Sequence, residues 1–226
     1  MSYNTLKTSL LIAMIALTLL AAPAGASPVL YTSSADWTAA VTNVITTPFT
    51  AQAGSSAYTA YATAAGLTVG DVNFVGFTGE IGTYNLTVYN PAYDASLSRG
   101  SGPSLAGGWS PGYLLATLPA GGVYALAVNI SSNQQGKNVS ITLSSGDTYT
   151  ITTPTNSTMA FFGFTSLVPI TDIRFSATSG LTMIDDFSYG SIPGEEEETP
   201  EPMGLLLGAT GLAGILLARR MRRFCR

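Results

Sequence analysis

Between residues 29 and 189 apolar side chains return at every second position in short runs, broken by glycine, proline, asparagine and serine, which is the spacing of strands that bury one face. In Asn138-Val139-Ser140-Ile141-Thr142-Leu143 the apolar residues take one side and the polar residues the other. Ser145-Gly146-Asp147 then turns the chain, and Tyr149 and Ile151 alternate with Thr148, Thr150 and Thr152, so the two runs predict a hairpin. From Val123 to Ile130 both faces are apolar, with larger Tyr124, Leu126, Val128 and Ile130 opposite smaller Val123, Ala125 and Ala127, as expected of a central strand. Further strands are predicted over 44–49, 72–77, 84–89, 113–118, 160–165, 171–176 and 182–188. The alternation fails near the start, where Ser33 or Ser34 can cap a short helix over 35–41 that sets Trp37 and Val41 one turn apart on its buried face.

About ten or eleven short strands, with no room for crossover helices, predict an all-β fold: an antiparallel two-sheet β-sandwich, in jelly-roll form, with a short N-terminal helix. The chain of 226 residues has room for one ordinary domain once two hydrophobic ends are set aside. Between those ends Asp36, Asp71, Glu80, Asp94, Asp147, Asp172, Asp185 and Asp186 outnumber Arg99, Lys137 and Arg174, so the middle is acidic and carries no basic stripe for phosphates. Nucleic acid is therefore not an expected partner. The chain has no histidine, and its lone cysteine, Cys225, lies beyond the second hydrophobic end. That removes disulfides, thiol chemistry, imidazole bases and zinc-type ligation from the middle region.

The first end, Leu10 to Ala22 behind Lys7, closes with Pro23 and the small residues Ala24-Gly25-Ala26, a pattern a signal peptidase cleaves after Ala26. At the other end Met203 to Ala218 carries no charge. As a hydrophobic helix it reaches roughly 24 Å against a bilayer core of roughly 30 Å, short for a permanent span. Arg219, Arg220, Arg222, Arg223 and Arg226 follow it and would hold the C-terminus in the cytoplasm. Before it stand Glu195 to Glu198 and Thr199, an extended acidic linker, and then Pro200-Glu201-Pro202. The chain thus divides into a signal peptide (1–26), a β-sandwich domain (27–193), an acidic linker (194–199) and a C-terminal sorting segment (200–226).

The order of Pro200, Glu201 and Pro202, a hydrophobic helix and an arginine cluster opening on Arg219 and Arg220 resembles the PEP-CTERM sorting signal of Gram-negative bacteria. The resemblance implies an exported protein, anchored in the membrane transiently by its C-terminal helix. An exosortase, a membrane processing enzyme, would then deliver it to the cell surface or the extracellular matrix, in the company of exopolysaccharide and biofilm systems. The runs Phe161-Phe162-Gly163-Phe164-Thr165, Ile170-Thr171-Asp172-Ile173-Arg174-Phe175 and Ile184-Asp185-Asp186-Phe187-Ser188-Tyr189-Gly190 are similar to the domains that often precede such signals. Those domains resemble carbohydrate-binding modules in fold.

Two places carry candidate chemistry. The longest stretch without periodicity runs from Asn90 to Gly112 and holds Tyr93, Asp94, Arg99 and Trp109, with Tyr113 just after it. Flat rings that stack on a pyranose, beside a carboxylate and a guanidinium that bond its hydroxyls, make these five the candidate polysaccharide-binding residues. The alternative is that Trp109 and Tyr93 plug the end of the sandwich. The pair Asp185-Asp186 is the second place, because consecutive strand residues point to opposite faces and one aspartate would then face the core. A structural calcium ion would satisfy it, as in the modules this domain resembles, and so would hydrogen bonding to backbone amides or to Arg174. No cofactor is required and no catalytic residue is assigned. The expected role is a non-enzymatic binding or structural component, against the alternatives of a carboxylate-based glycan hydrolase or a self-associating surface subunit.

Overall fold

The computed structural model describes residues 27–79, 83–94, 99–100 and 102–194. The signal-peptide stretch and the segment with Pro200, Glu201, Pro202, Arg219 and Arg220 lie outside the described residues. In chain order the elements are β1 (Val29–Tyr31), α1 (Ser34–Ala40), β2 (Thr42–Thr47), a 3-10 turn (Thr50–Gln52), β3 (Tyr58–Ala60), β4 (Leu67–Val69), β5 (Val72–Thr78), β6 (Thr83–Tyr84), β7 (Thr87–Tyr89), β8 (Ser104–Gly107), β9 (Tyr113–Thr117), β10 (Val123–Ser132), β11 (Asn138–Leu143), β12 (Thr148–Thr152), β13 (Ala160–Ile170), β14 (Asp172–Ala177) and β15 (Thr182–Ser191).

These strands pair antiparallel into two sheets, the all-β architecture that the alternation predicts. Sheet A runs β1-β13-β10-β15-β8-β7-β3, with β2 added against β15, and sheet B runs β12-β11-β14-β9-β5-β4, with β6 beside β5. The predicted hairpin of β11 and β12 forms, with its register running from Asn138 opposite Thr152 to Thr142 opposite Thr148. Its Val139, Ile141 and Leu143 enter the core while Asn138, Ser140 and Thr142 face outward. Between the sheets, Phe49, Phe74 and Phe187 meet edge to face with ring centroids 5.4 and 5.3 Å apart, the arrangement that aligns ring edges with ring faces.

The outer face of sheet A is hollowed by small residues. Ala125 and Ala127 of β10 and Gly163 of β13 leave a depression in which Trp37 of α1 lies buried, donating its indole N–H to the Phe164 carbonyl at 3.2 Å. A Cβ on Gly163 would come 2.8 Å from Trp37 Cδ1, so only glycine admits the ring at that position. The helix starts where its cap predicts, with Ser33 Oγ accepting the Asp36 amide at 3.3 Å. Val123, expected on the small face of β10, instead joins the main core, because the pairing with β13 slips between Val123 and Ala125. The residues of β13 left over by that slip bulge outward and expose Leu167 and Val168.

Two other expectations need correction. The predicted strand over 84–89 divides into β6, paired with β5 in sheet B, and β7, paired with β3 and β8 in sheet A; at the crossing Asn85 donates its amide to the Gly76 carbonyl at 3.0 Å and its side-chain oxygen accepts the Gly108 amide at 2.9 Å. The predicted loop from Asn90 to Gly112 is interrupted by β8, buried along its whole length between β7 and β15. Ser104-Leu105-Ala106-Gly107 carries one large apolar side chain, Leu105, among small ones, so no hydrophobic period marks it as a strand.

Candidate functional site

The site begins as a miscount between two strands. Ala127 of β10 pairs with Ser188 and Asn129 with Asp185, so β15 carries two residues, Asp186 and Phe187, where β10 carries only Val128. This is a β-bulge. Asp186 takes it up with φ of 47°, a left-handed conformation that aspartate tolerates better than most residues. The extra residue lets Ile184 and Phe187 both remain in the core while Asp185 and Asp186 both reach the outer face of sheet A. The expectation that the two aspartates take opposite faces is thus overturned, because strict alternation holds only in an unbulged strand.

Asp185 is nevertheless 94% buried, from above rather than from within, being only 6% exposed. The segment with Gly100 and Gly102 passes over it, near enough that their Cβ positions would lie 3.8 and 3.6 Å from Asp185 Oδ2, and Gly100 N–H ties that segment to the Ser157 carbonyl at 2.8 Å. Asp185 Oδ1 accepts the Asp186 amide at 2.8 Å. Among the described residues the buried side-chain oxygens without a partner are Gln52 Oε1, Ser131 Oγ and Thr182 Oγ1, so Asp185 Oδ2 is not one of them. Burial foremost, and then the like charge of Asp186, raises the Asp185 carboxyl to a pKa of about 6 against the bond from the Asp186 amide, which lowers it.

Two adjoining depressions open here and share Asn129 and Asp186. One, of about 430 Å³, is lined by Gly100, Asn129, Ser157, Thr158, Met159, Asp185 and Asp186. The other, of about 220 Å³, extends toward α1 and β2 and is lined by Ser34, Trp37, Thr38, Val44, Thr46, Ala127, Asn129, Phe161, Asp186 and Ser188. Together they make a groove along the outer face of sheet A, walled on one side by the helix and on the other by the Gly100 and Ser157 loops. Asn129 donates its amide N–H to Asp186 Oδ2 at 3.0 Å, Ser188 donates to the Asp186 carbonyl at 3.0 Å, and Thr46 and Ser188 share a hydrogen bond of 2.9 Å. The polar lining is therefore held in place by its own bonds while leaving donors and acceptors open to the groove.

The five residues predicted as a ligand site are not brought together. Tyr93 and Asp94 sit in the turn after β7, and Trp109 in the turn after β8. β7 and β8 are antiparallel, so these turns leave the ladder at opposite ends, and several residues of extended chain at ~3.3 Å each separate them. Tyr93 and Trp109 are both exposed rather than plugging the sandwich. Arg99 is buried and donates to the Ser132 and Asn133 carbonyls at 3.3 and 3.0 Å, anchoring its segment to the end of β10. Tyr113 belongs to the outer face of sheet B, where it packs on Phe77 at 4.8 Å and lies 4.2 Å beneath the Arg174 guanidinium. Asn129, Ser157 and Thr158 carried no signal of their own in the sequence, and Phe161 entered only as part of the run from 161 to 165.

No family model and no curated protein matches the chain. Among solved structures, the C-terminal CBM6 of LamC, a marine laminarinase from Zobellia galactanivorans, aligns at 13% identity over 59% of this chain and 99% of that one, with a TM-score of 0.26. The carbohydrate-binding module CBM6cm-2 from Cellvibrio mixtus lichenase 5A, solved with cellotriose, aligns at 13% identity over 58% and 94%, with a TM-score of 0.24. The family 11 carbohydrate-binding module of Lic26A-Cel5E from Clostridium thermocellum aligns at 13% identity over 69% and 100%, with a TM-score of 0.26. Likeness this slight assigns neither family nor ligand.

The groove's donors also bear on a calcium ion, which takes about six to eight oxygens. Among the described residues no group of three or more Asp, Glu, His or Cys side chains forms. An ion at Asp185 and Asp186 would draw its other ligands from hydroxyls, carbonyls and water.

Proposed function

We propose that the domain is a non-catalytic glycan-binding module and that the groove on the outer face of sheet A holds the glycan. The observation that carries this reading is the lining: Ser34, Thr38, Thr46, Asn129, Ser157, Thr158, Asp186 and Ser188 present fixed donors and acceptors, and Phe161 and Met159 add apolar surface between them. A sugar offers the same mixture, hydroxyls around the ring edge and C–H groups on its faces. The reading is non-catalytic because hydrolysis of a glycosidic bond needs two carboxyls ~5–10 Å apart across the scissile bond. Here both carboxylates come from consecutive residues of β15, and among the described residues no other acidic side chain lines the groove.

Affinity electrophoresis of the protein through a panel of soluble polysaccharides tests this. Retardation by at least one polysaccharide is expected, lost in Phe161→Ala and Asn129→Ala and kept in Trp109→Ala. Retardation lost in Trp109→Ala alone would move the site to the loop between β8 and β9 and overturn the groove.

The chain's ends extend the proposal to the whole protein. Cleavage by signal peptidase after Ala26 and processing near Pro200-Glu201-Pro202 by an exosortase-type enzyme would leave the domain at the cell surface or in an extracellular polysaccharide matrix. The mass of the mature protein tests this, and an intact tail ending at Arg226 would refute processing.

A further inference from the structure

We infer that the chain pairs with a second copy of itself through the free edge of β12, in an antiparallel two-fold arrangement centred on Thr150. Exposed sheet edges invite strand addition by another chain, and natural sheets blunt them with short strands, bulges, proline or charge. β1, β3 and β4 have three residues each, and β6 has two. β2 is longer, but Asn43 takes a φ of 54° and the pairing with β15 shifts register. β12 has none of these defences. Thr148-Tyr149-Thr150-Ile151-Thr152 pairs with β11 without a break, contains no charge, glycine or proline, and among the described residues has no strand on its other side.

The direction of its backbone groups fixes what a partner meets. Leu143 donates its amide to the Asp147 carbonyl at 2.9 Å, and Thr153 donates to the Lys137 carbonyl at 2.8 Å. Hydrogen-bonded and non-hydrogen-bonded pairs alternate along an antiparallel ladder, so Tyr149 and Ile151 also bond to β11 while Thr148, Thr150 and Thr152 turn their N–H and C=O outward. With Thr150 opposite the partner's Thr150, Thr148 meets the partner's Thr152, and each outward group finds its complement.

The same register suits the side chains. Tyr149 falls opposite the partner's Ile151 on the core-facing side, where both are only half-buried in the single chain, and threonine meets threonine on the outer face. Aromatic against β-branched and threonine against threonine are pairs that stabilise antiparallel sheets. Asp147 falls opposite the partner's Thr153, so no like charges face each other. This self-complementarity selects a second copy as the occupant. The apolar layer is also open on this flank: Leu30 of β1, opposite Phe164, is exposed, and the Phe162 ring lies 5.9 Å from Tyr149. Leu167 and Val168 are exposed a few residues before Thr171, whose amide donates to Ser144 Oγ, beside the β11–β12 turn, at 2.9 Å. The groove lies on the outer face of sheet A and stays open in such a dimer.

Sedimentation equilibrium of the protein, with no glycan present, is expected to show a monomer–dimer equilibrium. Thr150→Lys sets two lysines against each other at the two-fold axis and should weaken the dimer at least tenfold while leaving the urea midpoint of the monomer unchanged, because this side chain faces solvent. Register is read by cross-linking with a short bismaleimide in a Cys225→Ser background, which removes the chain's lone cysteine. Thr150→Cys should cross-link to itself. Thr148→Cys and Thr152→Cys should cross-link when mixed and neither alone, and Thr142→Cys, one strand inward on the same face, should not cross-link. A monomer at all concentrations overturns the inference and leaves the edge to a strand of another protein. A dimer that survives Thr150→Lys, or forms without these cross-links, overturns it in favour of another surface. None of these outcomes touches the glycan reading of the groove.

Discussion

Replacing Asp185 with asparagine keeps the shape of the side chain and its acceptor for the Asp186 amide, but removes the charge. The Asp185 carboxyl rises from 3.8 to about 6 in the folded chain, a shift of roughly two units, and at ~1.4 kcal/mol per unit the ionised form costs the fold about 3 kcal/mol. The sign follows from proton binding. Between pH 3.8 and about 6 the folded state holds more protons at this site than the unfolded state, so its stability falls as pH rises through that window and stays level above it. Asp185→Asn therefore should match the wild type near pH 3.5 and exceed it at pH 7.5 by up to about 3 kcal/mol, roughly 6–12 °C in Tm for a domain of this size. The figure is an upper value, since the groove admits water close to the carboxylate. Urea unfolding in the presence of EDTA at pH 4, 5, 6 and 7.5 measures it. An asparagine variant less stable than wild type at pH 7.5, or a wild type whose stability does not change between pH 4 and 6, would refute the reasoning. A confirmed gain would mean that the chain carries a destabilising carboxylate in its groove, the trade expected of a residue kept for binding.

Two further outcomes are expected. Gly163→Ala sets a Cβ 2.8 Å from Trp37 Cδ1 and should destabilise the domain by ~1–3 kcal/mol by lifting α1 from sheet A, read as a lower urea midpoint and increased proteolysis in the helix. If Asp185 and Asp186 hold a structural calcium ion, calcium at about a hundredfold over its Kd should add ~2.7 kcal/mol to wild type and nothing to Asp185→Asn, while a Tm unchanged by calcium or chelator removes the ion from the account.

What lay in local sequence was readable from it. The β11–β12 hairpin needs only alternation and a turn, both contained in residues 138–152, and it forms over those residues. The α1 helix likewise follows from Ser33 as cap and Trp37 as anchor. The loop residues from Tyr93 to Tyr113 were chosen by chemical type, and type says nothing about which end of a strand pair a turn occupies. β8 escaped because its one large apolar side chain, Leu105, stands alone among small ones buried on both faces, which leaves no alternation, and it is recognised only by the strands beside it.

The groove belongs to the same class of feature. The amino-acid sequence by itself determined an acidic, cysteine-free β domain, its hairpin, its helix cap and the presence of two adjacent aspartates. The tertiary structure decided where those aspartates point. A bulge is a difference in residue count between β10 and β15, strands separated by some fifty positions in the chain, so it exists only once they pair. Burial of Asp185 beneath the Gly100 segment and the hollow made by Ala125, Ala127 and Gly163 depend in the same way on surfaces that meet only in the folded chain.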